Sequence, residues 1–262
     1  MSSDFVEKVL CLAQKAGEIL TGYCKKGFLV KNKQGMEFVT EADLDSERFL
    51  RERLTGLLPG SSFLGEESWD GKFPDPPVWI VDPLDGTNNF ALGIPFYCVS
   101  VALMDDEGLC LGCIHDPVHD ETYLALRGGG AFLNGEPISA SGKTRLSEVI
   151  LATGFPYTRT ETDLTFDLDV LKNFLGRARG LRRCGSAALD LAYTASGRLG
   201  GFWEEALKPW DMAAGVLLVK EAGGIVTGFR SGEWTIKSKG VQCAAPGVWE
   251  EFRSVIEKGR SN

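Results

Sequence analysis

Apolar residues recur at helical spacing from the start of the chain. Phe5, Val9, Leu12, Ala13, Ala16, Ile19 and Leu20 predict an amphipathic helix over 4–24, closed by Lys25-Lys26-Gly27. A second helix is predicted from Thr40, where Thr40-Glu-Ala-Asp43 has the form of a capping arrangement and Leu44, Phe49 and Leu54 follow before Pro59-Gly60. The pattern then shortens. Strands are predicted at Ser62–Leu64 and Val78–Val81. Further strands are predicted at Tyr97–Met104, Leu109–His115 and Thr122–Leu126, with turns at Asp105-Asp-Glu-Gly108, Gly128-Gly-Gly130 and Asn134-Gly135, so this middle stretch reads as an antiparallel sheet. Helices follow at 164–176 and 186–196, then a short strand at Gly201-Phe-Trp203. Trp210–Ala222 is apolar nearly all round, which predicts burial on several sides, and Gly223-Gly224 ends it. A strand at Ile225–Thr227 and a helix over 247–258 complete the chain. Helices and strands fall in blocks rather than strict alternation, which favours a layered α+β architecture. A soft seam at Ser141–Ser147 divides two halves of what reads as one domain over 1–262.

Composition narrows the class. The chain has 262 residues, 44% hydrophobic and 24% charged, the make-up of a soluble globule. A formal net charge of -8 and a pI near 5.0 argue against a general nucleic-acid binder. They leave an anionic substrate open, because bound cations invert the local field. Met1-Ser-Ser-Asp4-Phe5 shows no basic region followed by an apolar run, and no apolar stretch approaches the ~20 residues of a membrane span. The seven cysteines are scattered and odd in number. The expectation is a cytoplasmic protein with free thiols.

Chemistry concentrates where acids meet structural breaks. The strand Val78-Trp-Ile-Val81 runs into Asp82-Pro-Leu-Asp85-Gly-Thr87. Gly65-Glu66-Glu67-Ser68 follows another strand, Asp43 opens one helix and Asp211 opens the apolar one. A lone strand-end Asp is commonly a turn former or cap. Asp82 and Asp85 taken with Glu66 instead suit a hard cation, which takes carboxylate and carbonyl oxygens. Asp82 and Asp85 bracket Pro83-Leu84, so one turn can aim both acids and the Leu84 carbonyl at one spot. A short helix after Asp85, stopped by Gly93 and Pro95, leaves the Gly86 and Thr87 N–H groups for a phosphate. Metal and phosphate would then meet at one turn.

These residues carry a family resemblance. Trp79-Ile-Val-Asp82-Pro-Leu-Asp85-Gly-Thr-Asn-Asn-Phe90 and Trp210-Asp-Met-Ala-Ala-Gly-Val-Leu-Leu-Val-Lys-Glu-Ala-Gly-Gly224 resemble the two signatures of the inositol monophosphatase family. Phe63-Leu-Gly-Glu66-Glu-Ser68 and Phe38-Val-Thr-Glu-Ala-Asp43 resemble its other landmarks, in the same order. Thr153-Gly-Phe-Pro-Tyr157 and Arg182-Arg-Cys-Gly-Ser-Ala-Ala188 are similar to its bacterial branch. The resemblance implies a layered αβαβα sandwich, usually dimeric, that hydrolyses phosphate monoesters with two or three Mg²⁺ ions and is often inhibited by Li⁺. It implies that Glu66, Asp82 and the Leu84 carbonyl hold one metal and Asp82, Asp85 and Asp211 another, with Glu66 and waters at a weaker third. It gives Thr87, oriented by Asp43, the attacking water, and the Gly86 and Thr87 amides the phosphate. On the substrate side it gives Glu204 the inositol hydroxyls, with Gly185, Ser186 and Ala187 as another wall and Arg182 approaching from a partner subunit. The family's mobile-loop lysine falls at Lys33 or Lys31, and Glu37 stands where the family commonly has Asp. The implied substrate is myo-inositol 1-phosphate. Fructose 1,6-bisphosphate, a 3′(2′),5′-bisphosphate nucleotide, or a regulatory binding role beside catalysis remain the alternatives.

Other signals carry less. Cys110 and Cys113 on one strand would face opposite ways, ~10 Å apart, too far for a disulfide. His115 and His119 flank Pro117 in a predicted loop and read as structural. Gly128-Gly-Gly130 lacks the Lys-Ser/Thr of a phosphate-binding loop. Arg177, Arg179, Arg182 and Arg183 read as a solvated or interface surface.

Overall fold

Helix α1 (Ser3–Lys26) starts where Ser2 Oγ accepts the Phe5 N–H, and α2 (Glu41–Leu57) starts at a full capping box between Thr40 and Asp43. These belong to a computed structural model that describes residues 1–27, 29–32, 38–155, 161–229 and 232–259, with side chains for all of these except 30–32 and 161–167. Between the two helices lies a small ribbon of β1 (Val30–Asn32) and β2 (Phe38–Thr40).

A seven-stranded sheet follows, ordered β3-β4-β5-β6-β7-β8-β9. Its members are β3 (Ser62–Gly65), β4 (Val78–Asp85), β5 (Cys98–Asp105), β6 (Gly108–Asp116), β7 (Glu121–Leu126), β8 (Gly130–Leu133) and β9 (Glu136–Pro137). All neighbours are antiparallel except β3 and β4. The five-residue helix α3 (Thr87–Ala91) interrupts the meander between β4 and β5. A second sheet, ordered β11-β10-β12-β14-β13, contains β10 (Ile150–Thr153), β11 (Gly180–Arg182), β12 (Gly201–Glu205), β13 (Ile225–Gly228) and β14 (Gly240–Ala244). Helices α4 (Glu161–Leu175), α5 (Ala187–Ala195), α6 (Pro209–Glu221) and α7 (Trp249–Gly259) complete the set.

Strand alternation builds the layers. On β4, Trp79 and Val81 join Val9, Leu20, Leu50 and Leu54 of α1 and α2 on one face. Val78 and Ile80 face the other way, into a core with α5 and α6. The same core takes Phe202 of β12 and Val241 of β14, while Trp203 points outward to Phe174 of α4 and Phe252 of α7. The order is therefore αβαβα, as the family resemblance implied. The α6 helix sits between the two sheets, and ten of its residues are buried. Its closeness needs small partners: a Cβ at Gly112 on β6 would lie 2.7 Å from Ala214 O.

Several elements differ from the sequence reading. β4 runs on to Asp85 rather than stopping at Val81, and β12 runs on to Glu205, so Glu204 is a strand residue. β1, β2, β10, β11 and β14 lie outside the predicted set. They are short, and long-range pairing creates them rather than local alternation. His115 lies in β6, as the strand predicted at Leu109–His115 requires, and not in the loop around Pro117; it is buried with Nδ1 3.0 Å from Thr122 Oγ1. His119 pairs instead with Asp116 at 2.7 Å. All seven cysteines are free. Among the described residues, no helix is long and apolar enough to cross a membrane.

Candidate active site

The end of β4 is irregular by construction. Asp82 pairs with Ser100 and Asp85 with Cys98 on β5, and the register shifts between them. Pro83 has no N–H to give a ladder, so the chain bulges there. The Leu84 N–H folds back to Asp82 Oδ1 at 2.9 Å. Gly86 then adopts a φ of +95° to turn the chain into α3, where a Cβ would meet Phe96 O at 3.0 Å. This sharp turn places the Thr87 hydroxyl 2.9 Å from Leu84 O and 3.2 Å from Asp43 Oδ1. Asp43 is held by its own cap: Oδ2 accepts from the Thr40 N–H at 2.8 Å and from Thr40 Oγ1 at 2.6 Å.

The opposite wall comes from the second half of the chain. Asp85 Oδ2 accepts from Ser186 Oγ at 2.6 Å and from the Ala188 N–H at 2.7 Å, at the first turn of α5. Asn89 binds the two walls together, its Nδ2 donating to Phe96 O at 2.7 Å and to Cys184 O at 2.9 Å. Asp211 lies in the first turn of α6, with Oδ2 accepting the Lys208 N–H at 2.7 Å. Glu66 follows β3, and its N–H donates to Val81 O at 3.2 Å.

One cleft of about 710 Å³ collects these groups. Glu66, Asp82, Leu84, Asp85 and Asp211 line it, as do Gly86 and Thr87 and, further along, Gly185, Ala187 and Glu204. Asp43 and Ser186 sit behind the lining, against Thr87 and Asp85 respectively. Lys33, Glu37 and Tyr157 lie outside the described residues, as does the side chain of Lys31.

The electrostatics are those of crowded acids. Burial, then repulsion from Glu66, Asp85 and Asp211, pushes the Asp82 carboxyl well above its usual range. Asp211 is raised by burial and then by Glu66 and Asp85. Burial also raises Asp85, opposed by the Ser186 and α5 backbone donors and by Arg183. Asp43 is pushed up to about 6 by burial, against the pull of its Thr40 hydrogen bonds. Among the described residues no three His, Cys, Asp or Glu side chains close on one point, so the acids share a wall rather than a ready cage. The donor set is nonetheless of the kind hard cations take, carboxylate oxygens beside a peptide carbonyl, with Asp82 and Asp211 destabilised by their acidic neighbours. The residues present fit Mg²⁺ by this chemistry.

The structure also brings in residues that the sequence reading left aside. Arg183, read as part of an outer surface, lines the cleft. Trp69 lines it too, edge-on to Trp210 at 5.3 Å with Lys208 Nζ 5.7 Å from its ring. This joins the loop after Glu66 to the helix that carries Asp211. The aromatic and cationic pair lay in plain view beside the acids, but only the fold shows that they meet.

The chain is similar to known proteins along nearly its whole length. The model of the inositol monophosphatase family matches residues 3–258. An inositol-1-monophosphatase of Rhizobium meliloti is 39% identical over 248 residues, covering 94% of this chain and 91% of its own. A protein of Pseudomonas aeruginosa named Nus factor SuhB is 40% identical over 83% of this chain and 82% of its own. The crystal structure of the extragenic suppressor protein suhB from Bartonella henselae superposes with a TM-score of 0.90 at 37% identity, covering 98% of this chain and all of that one.

Proposed function

This chain belongs to the inositol monophosphatase family and is a phosphatase, and on that premise we propose that it hydrolyses myo-inositol 1-phosphate to myo-inositol and phosphate with Mg²⁺. The observation that carries the reading is the meeting of Glu66, Asp82, Asp85 and Asp211 in one cleft with the Thr87 hydroxyl. Glu66, Asp82, the Leu84 carbonyl, Asp85 and Asp211 would hold the cations. Bound there, Mg²⁺ would neutralise charge on the phosphate and its departing alkoxide, the main demand of so slow a hydrolysis.

The chain's own groups do the rest. Thr87 Oγ1 can give its proton to Asp43 Oδ1 and turn a lone pair to the attacking water. Asp43, with a carboxyl near 6, is matched to take up a proton near neutral pH. Water attacks phosphorus and gives up a proton through Thr87 to Asp43, the bond from phosphorus to the ester oxygen breaks, and that oxygen takes a proton from solvent and leaves as the alcohol, while Asp43 returns its proton to solvent. Gly86 and Thr87 present backbone N–H groups to the phosphate. Glu204, with Gly185 and Ala187 beyond it, accepts hydrogen bonds from the polyol and disfavours a second phosphate.

Arg183 and Lys208, which also line the cleft, favour the bisphosphate alternatives. The relative named as a Nus factor, together with exposed Arg177, Arg179 and Arg182, supports a protein-binding role beside catalysis. Variants of those arginines that lose a partner while keeping hydrolysis would reveal it. A cytoplasmic homodimer is the proposed working form. The test of the main reading is phosphate release from myo-inositol 1-phosphate: turnover with Mg²⁺ that stops with a chelator supports it, and no turnover under either condition contradicts it.

A further inference from the structure

We propose that helix α2 sets the relative positions of two segments of the site, the turn from the end of β4 into α3 and the turn after β3, through one buried polar stripe, in which Ser46 and Glu47 are positioning residues. The inference rests on the reading of the cleft as a cation-assisted phosphatase site. Asp43, Ser46 and Glu47 stand at i, i+3 and i+4, and so share one face of α2. They are 0%, 0% and 5% exposed, an environment that polar groups tolerate only when hydrogen-bonded. Asp43 and Ser46 are satisfied by the stretch from the end of β4 into α3, and Glu47 by the turn after β3. Asp43 Oδ1 accepts from Thr87 Oγ1 at 3.2 Å. Ser46 Oγ donates to Pro83 O at 3.0 Å. Glu47 Oε2 accepts the Glu67 N–H at 2.8 Å.

The consequences reach the cleft. The peptide plane between Pro83 and Leu84 is held at both ends, its oxygen by Ser46 and its N–H by Asp82 Oδ1 at 2.9 Å. Ser46 therefore fixes the plane that aims the Asp82 carboxylate and orients the residue bearing the Leu84 carbonyl. Glu47 holds the amide next to Glu66 and lies against the turn itself: a Cβ at Gly65 would come 2.5 Å from Glu47 Oε2. Arg51 Nη2, 3.5 Å from Glu47 Oε1, offsets its charge. The stripe has a rigid mount, because Leu50 and Leu54 lock α2 into the same core as Trp79 and Val81 of β4. Asp43, Ser46 and Glu47 thus translate one helix position into the positions of both segments.

The test uses the full chain with Ser46→Ala, Glu47→Ala and Glu47→Gln, and reads thermal unfolding across a Mg²⁺ titration without substrate. Groups that orient metal ligands typically change affinity by about 10–100-fold when removed. The Mg²⁺ concentration at half of the full stabilisation should rise about 10-fold or more in Ser46→Ala and Glu47→Ala. Glu47→Gln keeps an oxygen for the Glu67 N–H and should recover most of the loss. In turnover, kcat should fall with little change in KM, since neither side chain reaches the ester. A role in folding alone would lower the metal-free Tm and leave the Mg²⁺ midpoint in place. Midpoints within about twofold of wild type in Ser46→Ala and in Glu47→Ala would overturn the proposal. Should Glu47→Ala fail to fold, Ser46→Ala, which loses one hydroxyl, decides alone. A wild-type protein that Mg²⁺ does not stabilise would overturn the cation reading itself, and this inference with it. A responsive wild type with equally responsive variants overturns this inference only.

Discussion

Glu204 lies against the bare Cα of Gly154, so closely that a Cβ at position 154 would fall 1.8 Å from Glu204 Oε2. The Gly154 N–H donates to Trp203 O at 3.4 Å, which keeps the two strand ends together and leaves the side chain as the part that must move. Gly154→Ala should therefore fold and swing the carboxylate out of place. On the proposed reading, kcat/KM for myo-inositol 1-phosphate should fall about 10-fold or more, the value of a charge-assisted hydrogen bond. A small aryl phosphate, which lacks the polyol, should be hydrolysed at nearly the wild-type rate. An equal fall for both esters would show that position 154 supports the fold rather than specificity.

Glu204 itself separates shape from charge. Glu204→Gln keeps the acceptor and removes the charge, so it should cost little with inositol phosphate and improve relative activity on bisphosphates. Glu204→Ala should lose roughly 1.5–3 kcal/mol in kcat/KM for inositol phosphate. If the three substrate types fall together in both variants, Glu204 serves the metal wall and the polyol assignment loses its support.

The Thr87 hydroxyl stands between Asp43 and Leu84 O. Thr87→Ala keeps the backbone N–H and removes the hydroxyl. Steady-state kinetics should show kcat lower by ~100-fold with a smaller change in KM, and Thr87→Ser should restore much of it. Near-normal kcat in the alanine variant would move water positioning to Glu66.

Burial that raises Asp43 to about 6 from its ordinary 3.8 carries a signed stability effect. The folded chain binds this proton more tightly than the unfolded one, so stability is favoured below about pH 4 and lost as pH rises through 6. The full penalty above that window is about 3 kcal/mol. Urea unfolding with chelator present should show Asp43→Asn gaining on wild type between pH 4.5 and pH 7. Parallel pH profiles would contradict this account of the buried acid.

Some of this is legible in the sequence. The Thr40–Asp43 cap and the all-round apolar Trp210–Ala222 segment depend on local pattern, and both formed as expected. β10 and β14 depend on partners far along the chain, so their short runs carried no period to read. The acids stood out because carboxylates beside glycine and strand ends are uncommon in packing roles. Ser46 and Glu47 did not, because a polar residue inside an amphipathic helix looks solvent-facing. Their partners are backbone atoms 37 and 20 residues away, which sequence spacing does not reveal. Arg183 was hidden for a similar reason: its neighbours make it look like part of an outer charged surface, and the turn at Gly185, with φ of +94°, directs that segment to the cleft.

Asp82 crowds three other acids, so its charge should cost stability until a cation arrives. Asp82→Asn keeps an oxygen for the Leu84 N–H and removes the charge. Without Mg²⁺ its Tm should exceed that of wild type, by about 2–4 °C for each kcal/mol regained. Adding Mg²⁺ should stabilise wild type and barely move the variant. A variant with the full Mg²⁺ shift and normal turnover would sink the assignment of Asp82 as a shared ligand.

The proposed substrate is tested by a ranking of kcat/KM. Myo-inositol 1-phosphate, fructose 1,6-bisphosphate, an adenosine 3′,5′-bisphosphate and a small aryl phosphate would be compared at equal Mg²⁺. The inositol ester should rank first, and chelation should abolish every rate. A bisphosphate ranked above it would overturn the substrate assignment, and hydrolysis that survives chelation would overturn the role of Mg²⁺.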